Sequence, residues 1–163
     1  MTKNPAVQYH LYVQWLAWNQ MKKLAEKQKL YLDFPLGVHR EGFDVWHFRD
    51  SFALEASTGA PPDAFFTQGQ EWGFPPLHPA RIRQTGYAYF ISALRHHLKF
   101  SKALRLDHVM GFYRLFWIPR GFSPKEDVYV RYKAEEFLAI LTLESRRHNT
   151  PIVGEDLGTV PPR

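Results

Sequence analysis

The chain has 163 residues, 45% of them hydrophobic and 23% charged. That suffices for one domain with one core and excludes a disordered or fibrous chain. Cysteine is absent, which excludes a disulfide frame and thiolate chemistry. The net charge of +5 would suit a nucleic-acid binder, but the cations are scattered: Lys22, Lys23, Lys27, Lys29, Arg95, Lys99, Lys102, Arg146 and Arg147. No nucleic-acid module accompanies them, so they read as solvated helix faces and no nucleic-acid partner is expected. No apolar run approaches the roughly 20 residues that span a bilayer, so no membrane partner is expected. The first residues lack the basic and apolar regions of a signal peptide, and a cytoplasmic location is expected. Aromatic residues reach 16%. Core packing and sugar-stacking surfaces both account for that excess.

The first element predicted is a helix over residues 5–28. Val7, Leu11, Trp15, Trp18 and Met21 recur at spacings of three and four, and Pro5 suits a first turn. A strand over residues 29–33 follows, stopped by Pro35 and Gly37. Residues 35–79 show no regular period and are rich in Gly and Pro. Their many aromatics argue for an ordered excursion at an active site. A second helix is predicted over residues 80–101, with Tyr87, Phe90, Ile91, Leu94 and Leu98 on one face. A strand at 103–107, an aromatic connection at 111–121, a helix at 134–147 and a strand at 151–154 complete the chain. Phe137, Leu138 and Leu141 are expected to point inward from the last helix.

Alternating strands and helices imply a parallel sheet. Right-handed crossovers then bring all strand C-terminal ends to one side. Asp33, Asp107 and Glu155 fall at such ends. One Asp and one Glu from neighbouring strands are the minimum for cleaving a glycosidic bond with retention, which needs carboxyl groups about 5–5.5 Å apart. Adjacent strands lie about 4.8 Å apart, so neighbouring strand ends meet that requirement. Arg105, two residues before Asp107, shares its strand face and would orient it as an anion. Glu155 has no basic neighbour in sequence, a setting that suits a proton donor. An Arg–Asp salt bridge and a loop-capping Glu would account for the same residues.

Other chemistries find little support. His96 and His97 are adjacent, His108 stands apart, and no His-Glu-x-x-His pattern exists, so no metal site is expected. Glycine-rich nucleotide motifs and a nucleophile elbow are missing. The stretch 61–73 mixes aromatics with amide and acid groups, as a polysaccharide cleft does. A purely structural loop would have the same composition.

Several motifs together resemble the amylomaltases, 4-α-glucanotransferases of the α-amylase clan. They are Tyr9-His10-Leu11-Tyr12-Val13-Gln14-Trp15, Asp33-x-Pro35, Gly59-Ala60-Pro61-Pro62-Asp63, Gly69-Gln70-x-Trp72-Gly73, Arg105-x-Asp107-His108 and Gly154-Glu155-Asp156-Leu157-Gly158. The resemblance covers nearly the whole chain. It implies an α/β fold that is part of a (β/α)₈ barrel with its active site at the strand C-terminal ends. It also implies that Asp107 is the nucleophile, Glu155 the acid/base and Arg105 the support of the nucleophile. Asp33, Asp63, Phe65, Gln70, Trp72 and His108 are implied as substrate-binding residues, with no metal or organic cofactor. The implied partners are α-1,4-glucans or maltooligosaccharides, a glucose acceptor, and the remainder of the same barrel. Two departures stand out. Ala64 replaces an aromatic common after Pro-Pro-Asp, where Phe65 would substitute. The family's later His-Asp motif, carrying a third catalytic acid, has no counterpart here. The chain is therefore expected to be a barrel segment truncated at both ends and inactive alone. A hydrolase of the same clan and a non-catalytic glucan-binding fragment are the rival readings.

Overall fold

The computed structural model describes residues 4–125 and 128–156. Leu157 and Gly158 of the last motif lie outside the described residues. Helix α1 is Pro5–Lys27. The Asn4 side chain accepts from the Ala6 amide, Pro5 occupies the first turn and Lys27 the last. All three suit a helix by capping and dipole. The expected apolar face is only half used. Trp18 packs edge-on against Phe100 and beneath the Lys99 ammonium, whereas Val7, Leu11 and Trp15 are exposed.

Strand β1, Tyr31–Phe34, pairs in parallel with β4, Ala103–Leu106, which pairs in parallel with β7, Ile152–Gly154. This three-stranded sheet, in the order β1-β4-β7, is the parallel sheet that the alternation implies. It forms no closed barrel. Leu104 and Leu106 are buried and Arg105 is not, so β4 alternates between its two faces. The buried face packs against two helices, α4 (Ala88–Leu98) and α5 (Ala134–His148). Phe90, Leu94, Leu98, Leu104, Leu106, Phe137 and Leu141 make that core. Phe90 and Phe137 meet edge to face at 4.9 Å. Leu138, expected inward, is exposed because it lies one position past the buried stripe.

Glu144 on α5 is buried yet charged, and two arginines satisfy it. Arg95 on α4 grips both carboxylate oxygens at 2.8 Å, and Arg147 adds a third contact at 2.8 Å. The Arg95 hydrogen bond leads in holding Glu144 down at about 2, against the opposing effect of burial. Helix α5 ends at Asn149 in the left-handed region, after Arg146, Arg147 and His148 in its last turn.

Three expectations are corrected. The helix predicted over 80–101 is two helices, α3 (Pro79–Gln84) and α4, because Gly86 and Tyr87 both take positive φ. Glycine adopts that conformation without steric cost, whereas Tyr87 adopts it against the preference of a residue with a side chain. The 35–79 excursion is not irregular throughout. It contains α2 (Phe43–His47), a 3-10 turn at Arg49–Ser51, and strands β2 (Ala56–Ala60) and β3 (Gln70–Glu71). The 111–121 connection holds β5, Arg114–Pro119, and beyond it lies β6, Val128–Arg131. These strands build a second, antiparallel sheet in the order β3-β2-β5-β6. Gly59 allows it to close: a Cβ there would sit 2.1 Å from the Gln70 carbonyl oxygen and 2.5 Å from Ile118 Cδ1. Only a residue without a side chain lets β3 approach β2 so closely.

Candidate active site

The parallel register delivers the acids. Phe34, Leu106 and Gly154 are aligned across the three strands. The ladder runs one step further: the Asp107 amide donates to the Phe34 carbonyl at 3.0 Å, and the Glu155 amide donates to the Leu106 carbonyl at 2.9 Å. Asp107 and Glu155 are thus the residues that directly follow the aligned ends of two adjacent parallel strands. Asp33 lies within β1, opposite Arg105.

Arg105 organises two of the acids. Its Nη1 donates to both Asp33 oxygens at 2.9 and 2.8 Å, and its Nη2 donates to Asp107 Oδ1 at 3.0 Å. The sequence links Arg105 to Asp107 by the period of two. It carries no signal for the Asp33 contact, which depends on a strand 72 residues away in sequence. Asp33 therefore meets the guanidinium as well as lying at the candidate substrate face. The hydrogen bond that Arg105 donates to Asp33 is the leading influence that raises its guanidinium further, so it stays a cation.

His108 turns the chain at the end of β4 with φ 51. Its amide donates to Glu155 Oε2 at 2.9 Å. Burial pushes its imidazole below the ordinary histidine value, partly opposed by Glu155 and Asp107. Neutral imidazole is favoured as a result. The edge of the Trp72 ring meets the His108 ring, with centroids 5.7 Å apart. Trp72 follows β3, so this contact joins the antiparallel sheet to the acids.

The hairpin between β2 and β3 holds the remaining expected residues. Asp63 Oδ1 accepts from the Phe65 and Phe66 amides at 2.8 and 2.6 Å, which closes an Asx turn. Phe65 at its tip is 91% exposed. The Trp72 indole N–H donates to Gln70 Oε1 at 3.3 Å, and Trp72 stacks on Phe74. Gln70, Trp72, His108 and Glu155 are joined one to the next by these contacts, and Asp63 and Phe65 belong to the hairpin tip. Among the described residues, no cluster of three or more His, Asp or Glu side chains is placed to hold a metal ion, and no helix is long and apolar enough to cross a membrane.

Fold and site together define an α/β protein with paired acids at the ends of a parallel sheet. Comparison with known proteins narrows this class. Residues 1–163 match the sequence profile of family 77 of the glycoside hydrolases, described as 4-alpha-glucanotransferase. The chain belongs to that family. The 4-alpha-glucanotransferase of Haemophilus influenzae is 39% identical over 98% of this chain, which corresponds to 24% of the relative. The Mycobacterium tuberculosis 4-alpha-glucanotransferase is 38% identical over 96% of the chain and 23% of its own length. A crystal structure of amylomaltase from Corynebacterium glutamicum matches with a TM-score of 0.89 and 36% identity, covering 99% of this chain and 24% of that one. Amylomaltase from Streptococcus agalactiae, solved in complex with acarbose, has a TM-score of 0.85 at 23% identity, covering 95% of this chain and 33% of that one, and supports the fold alone. The chain spans about a quarter of the length of the Haemophilus and Mycobacterium relatives.

Proposed function

We propose that this chain is the acid-bearing segment of a (β/α)₈ barrel that transfers α-1,4-glucan units. Asp107 attacks the anomeric carbon while protonated Glu155 donates to the departing glycosidic oxygen, and a covalent glucosyl-enzyme forms. Glu155 then takes the proton of an acceptor 4-hydroxyl, whose oxygen displaces Asp107. Retention follows from two inversions. Arg105 orients Asp107, and Asp33 positions Arg105 at the substrate face. Gln70, Trp72 and His108 line the acceptor side, with Asp63 and Phe65 at the overhanging hairpin tip. Exclusion of water there favours transfer over hydrolysis.

The observation that carries this reading is the Arg105 bridge to Asp33 and Asp107, beside a Glu155 held one strand away. Family membership supports the reaction class. The test is maltotriose disproportionation by the full-length protein. Asp107→Asn is expected to abolish formation of glucose and longer maltooligosaccharides while leaving maltodextrin binding intact. Retained turnover would overturn the assignment of the nucleophile.

A further inference from the structure

Trp72 is held by three contacts. Its indole N–H donates to Gln70 Oε1, its ring meets His108 at a steep angle, and it stacks on Phe74 with centroids 6.1 Å apart and planes 28° from parallel. The main chain carries Trp72 and Phe74 as one unit. The Trp72 amide donates to the Thr58 carbonyl at 2.8 Å, the Gly73 amide to Ser57 Oγ at 3.1 Å, and the Thr58 amide to the Phe74 carbonyl at 2.9 Å. Ser57 and Thr58 are buried, so residues 72–74 continue along β2 on a protected backbone. Gly73, between the two rings, takes φ 79, a conformation that a side chain disfavours. Phe74 in turn rests on the loop that follows β1. A Cβ added to Gly37 would fall within 2.5 Å of three Phe74 ring carbons, Cγ, Cδ2 and Cε2. The ring fills the space that any side chain at 37 would need. Gly37 lies four residues past Asp33. One line of contacts therefore runs from the β1 loop through Phe74 to Trp72.

We infer that Phe74, seated on the bare main chain at Gly37, is a positioning residue that fixes the tilt of the Trp72 indole for the acceptor sugar. This rests on the acceptor-side reading of Trp72. A sugar ring stacks well on an aromatic face that is already in place. An indole free to change rotamer must be ordered at each binding event, and affinity falls by that cost. Phe74 removes the cost in advance without touching the sugar. Its seat explains why a ring can lie there at all: the β1 loop offers no side chain at 37 to compete for the space. The effect belongs to the acceptor step alone. With α-maltosyl fluoride as donor, Asp107 bonds to the anomeric carbon as the C–F bond breaks and fluoride leaves. No sugar occupies the acceptor side in that step. Glucose then binds there, and its 4-hydroxyl oxygen displaces Asp107 to give maltotriose.

The experiment separates the two steps in the full-length protein. The pre-steady-state burst of fluoride from α-maltosyl fluoride reads the first, and the KM for glucose as acceptor reads the second. Phe74→Ala is expected to raise the KM for glucose about fivefold, the scale of one lost aromatic pair, and to leave the burst unchanged. A burst that falls in proportion would mean general loosening of the fold and overturns the inference. Gly37→Ala displaces the ring and should raise the same KM by a similar factor. In the double variant Gly37→Ala/Phe74→Ala no ring remains to be displaced, so its KM should equal that of Phe74→Ala. Effects that multiply in the double variant overturn the seat at Gly37. If Phe74→Ala does not fold, Phe74→Leu takes its place, because it keeps most of the volume without a flat face. An unchanged KM in the folded Phe74 variant overturns the inference. Trp72→Ala tests the underlying reading. A raised KM there beside a normal one in the Phe74 variant overturns the inference alone, whereas a normal KM in Trp72→Ala overturns the acceptor-side reading and the inference with it.

Discussion

The two sheets of this protein do different work with different means. The parallel sheet presents Asp33, Arg105, Asp107 and Glu155 at the ends of short strands, and its ladder of hydrogen bonds continues into the acids. Among the described residues, the antiparallel sheet has no charged cluster of that kind. It carries the β2–β3 hairpin and meets the turn between Asp107 and Val109 through Trp72 against His108. Register holds the first region, and close backbone approach at Gly59 holds the second. On the proposed function, the reacting acids sit on the strand ladder and the ligand contacts on the loop scaffold. If this division is right, variants in the first sheet lower kcat and variants in the second raise KM.

The largest effect is expected from Arg105→Ala in the full-length protein. It releases Asp33 and Asp107 together, and kcat should fall about 10³-fold, the scale of losing one electrostatic support. The melting temperature should hardly move, because these ion pairs are substantially exposed. A large loss of stability with normal kcat would break the comparison.

Next comes a stability effect confined to the helices behind the parallel sheet. Glu144→Gln leaves Arg95 and Arg147 without their shared anion and should cost about 2–3 kcal/mol, measured by urea unfolding at neutral pH. The pH dependence has a definite sign. Glu144 is held at about 2, below its ordinary value of 4.5. Its contribution is therefore complete above about 4.5 and disappears as the pH falls toward 2. The wild-type and Glu144→Gln stabilities should converge over that window. Parallel curves would refute the ion-pair account.

Gly59→Ala is the matching variant in the antiparallel sheet. It should drive β3 off β2 and displace Trp72, raising KM for maltotriose about tenfold with kcat nearly unchanged. Trp72→Phe is the mildest. It removes the hydrogen bond to Gln70 and keeps an aromatic ring near His108, so KM should rise about two- to fivefold. A larger fall in kcat than rise in KM, in either variant, would mean that the second sheet also shapes the reacting geometry.

The amino-acid sequence by itself determined the parallel core. Period-two alternation in Leu104, Arg105 and Leu106, and the spacing of Phe90, Leu94 and Leu98, depend on local burial that a sequence pattern encodes directly. Asp107 and Glu155 followed because a strand's end is visible in sequence. Local pattern also named Arg105 as the neighbour of Asp107. It did not reveal the antiparallel sheet, whose strands are short and whose central pair, β2 and β5, joins segments more than 50 residues apart, so no window of sequence holds the pairing. It did not reveal the break at Gly86 and Tyr87, because the left-handed turn there has no apolar period to mark it. Only the tertiary structure decided that Arg105 also grips Asp33, that Trp72 meets His108 and that the His108 amide holds Glu155. Each of those contacts joins segments more than 30 residues apart, and the strand register, not the local pattern, brings them within reach.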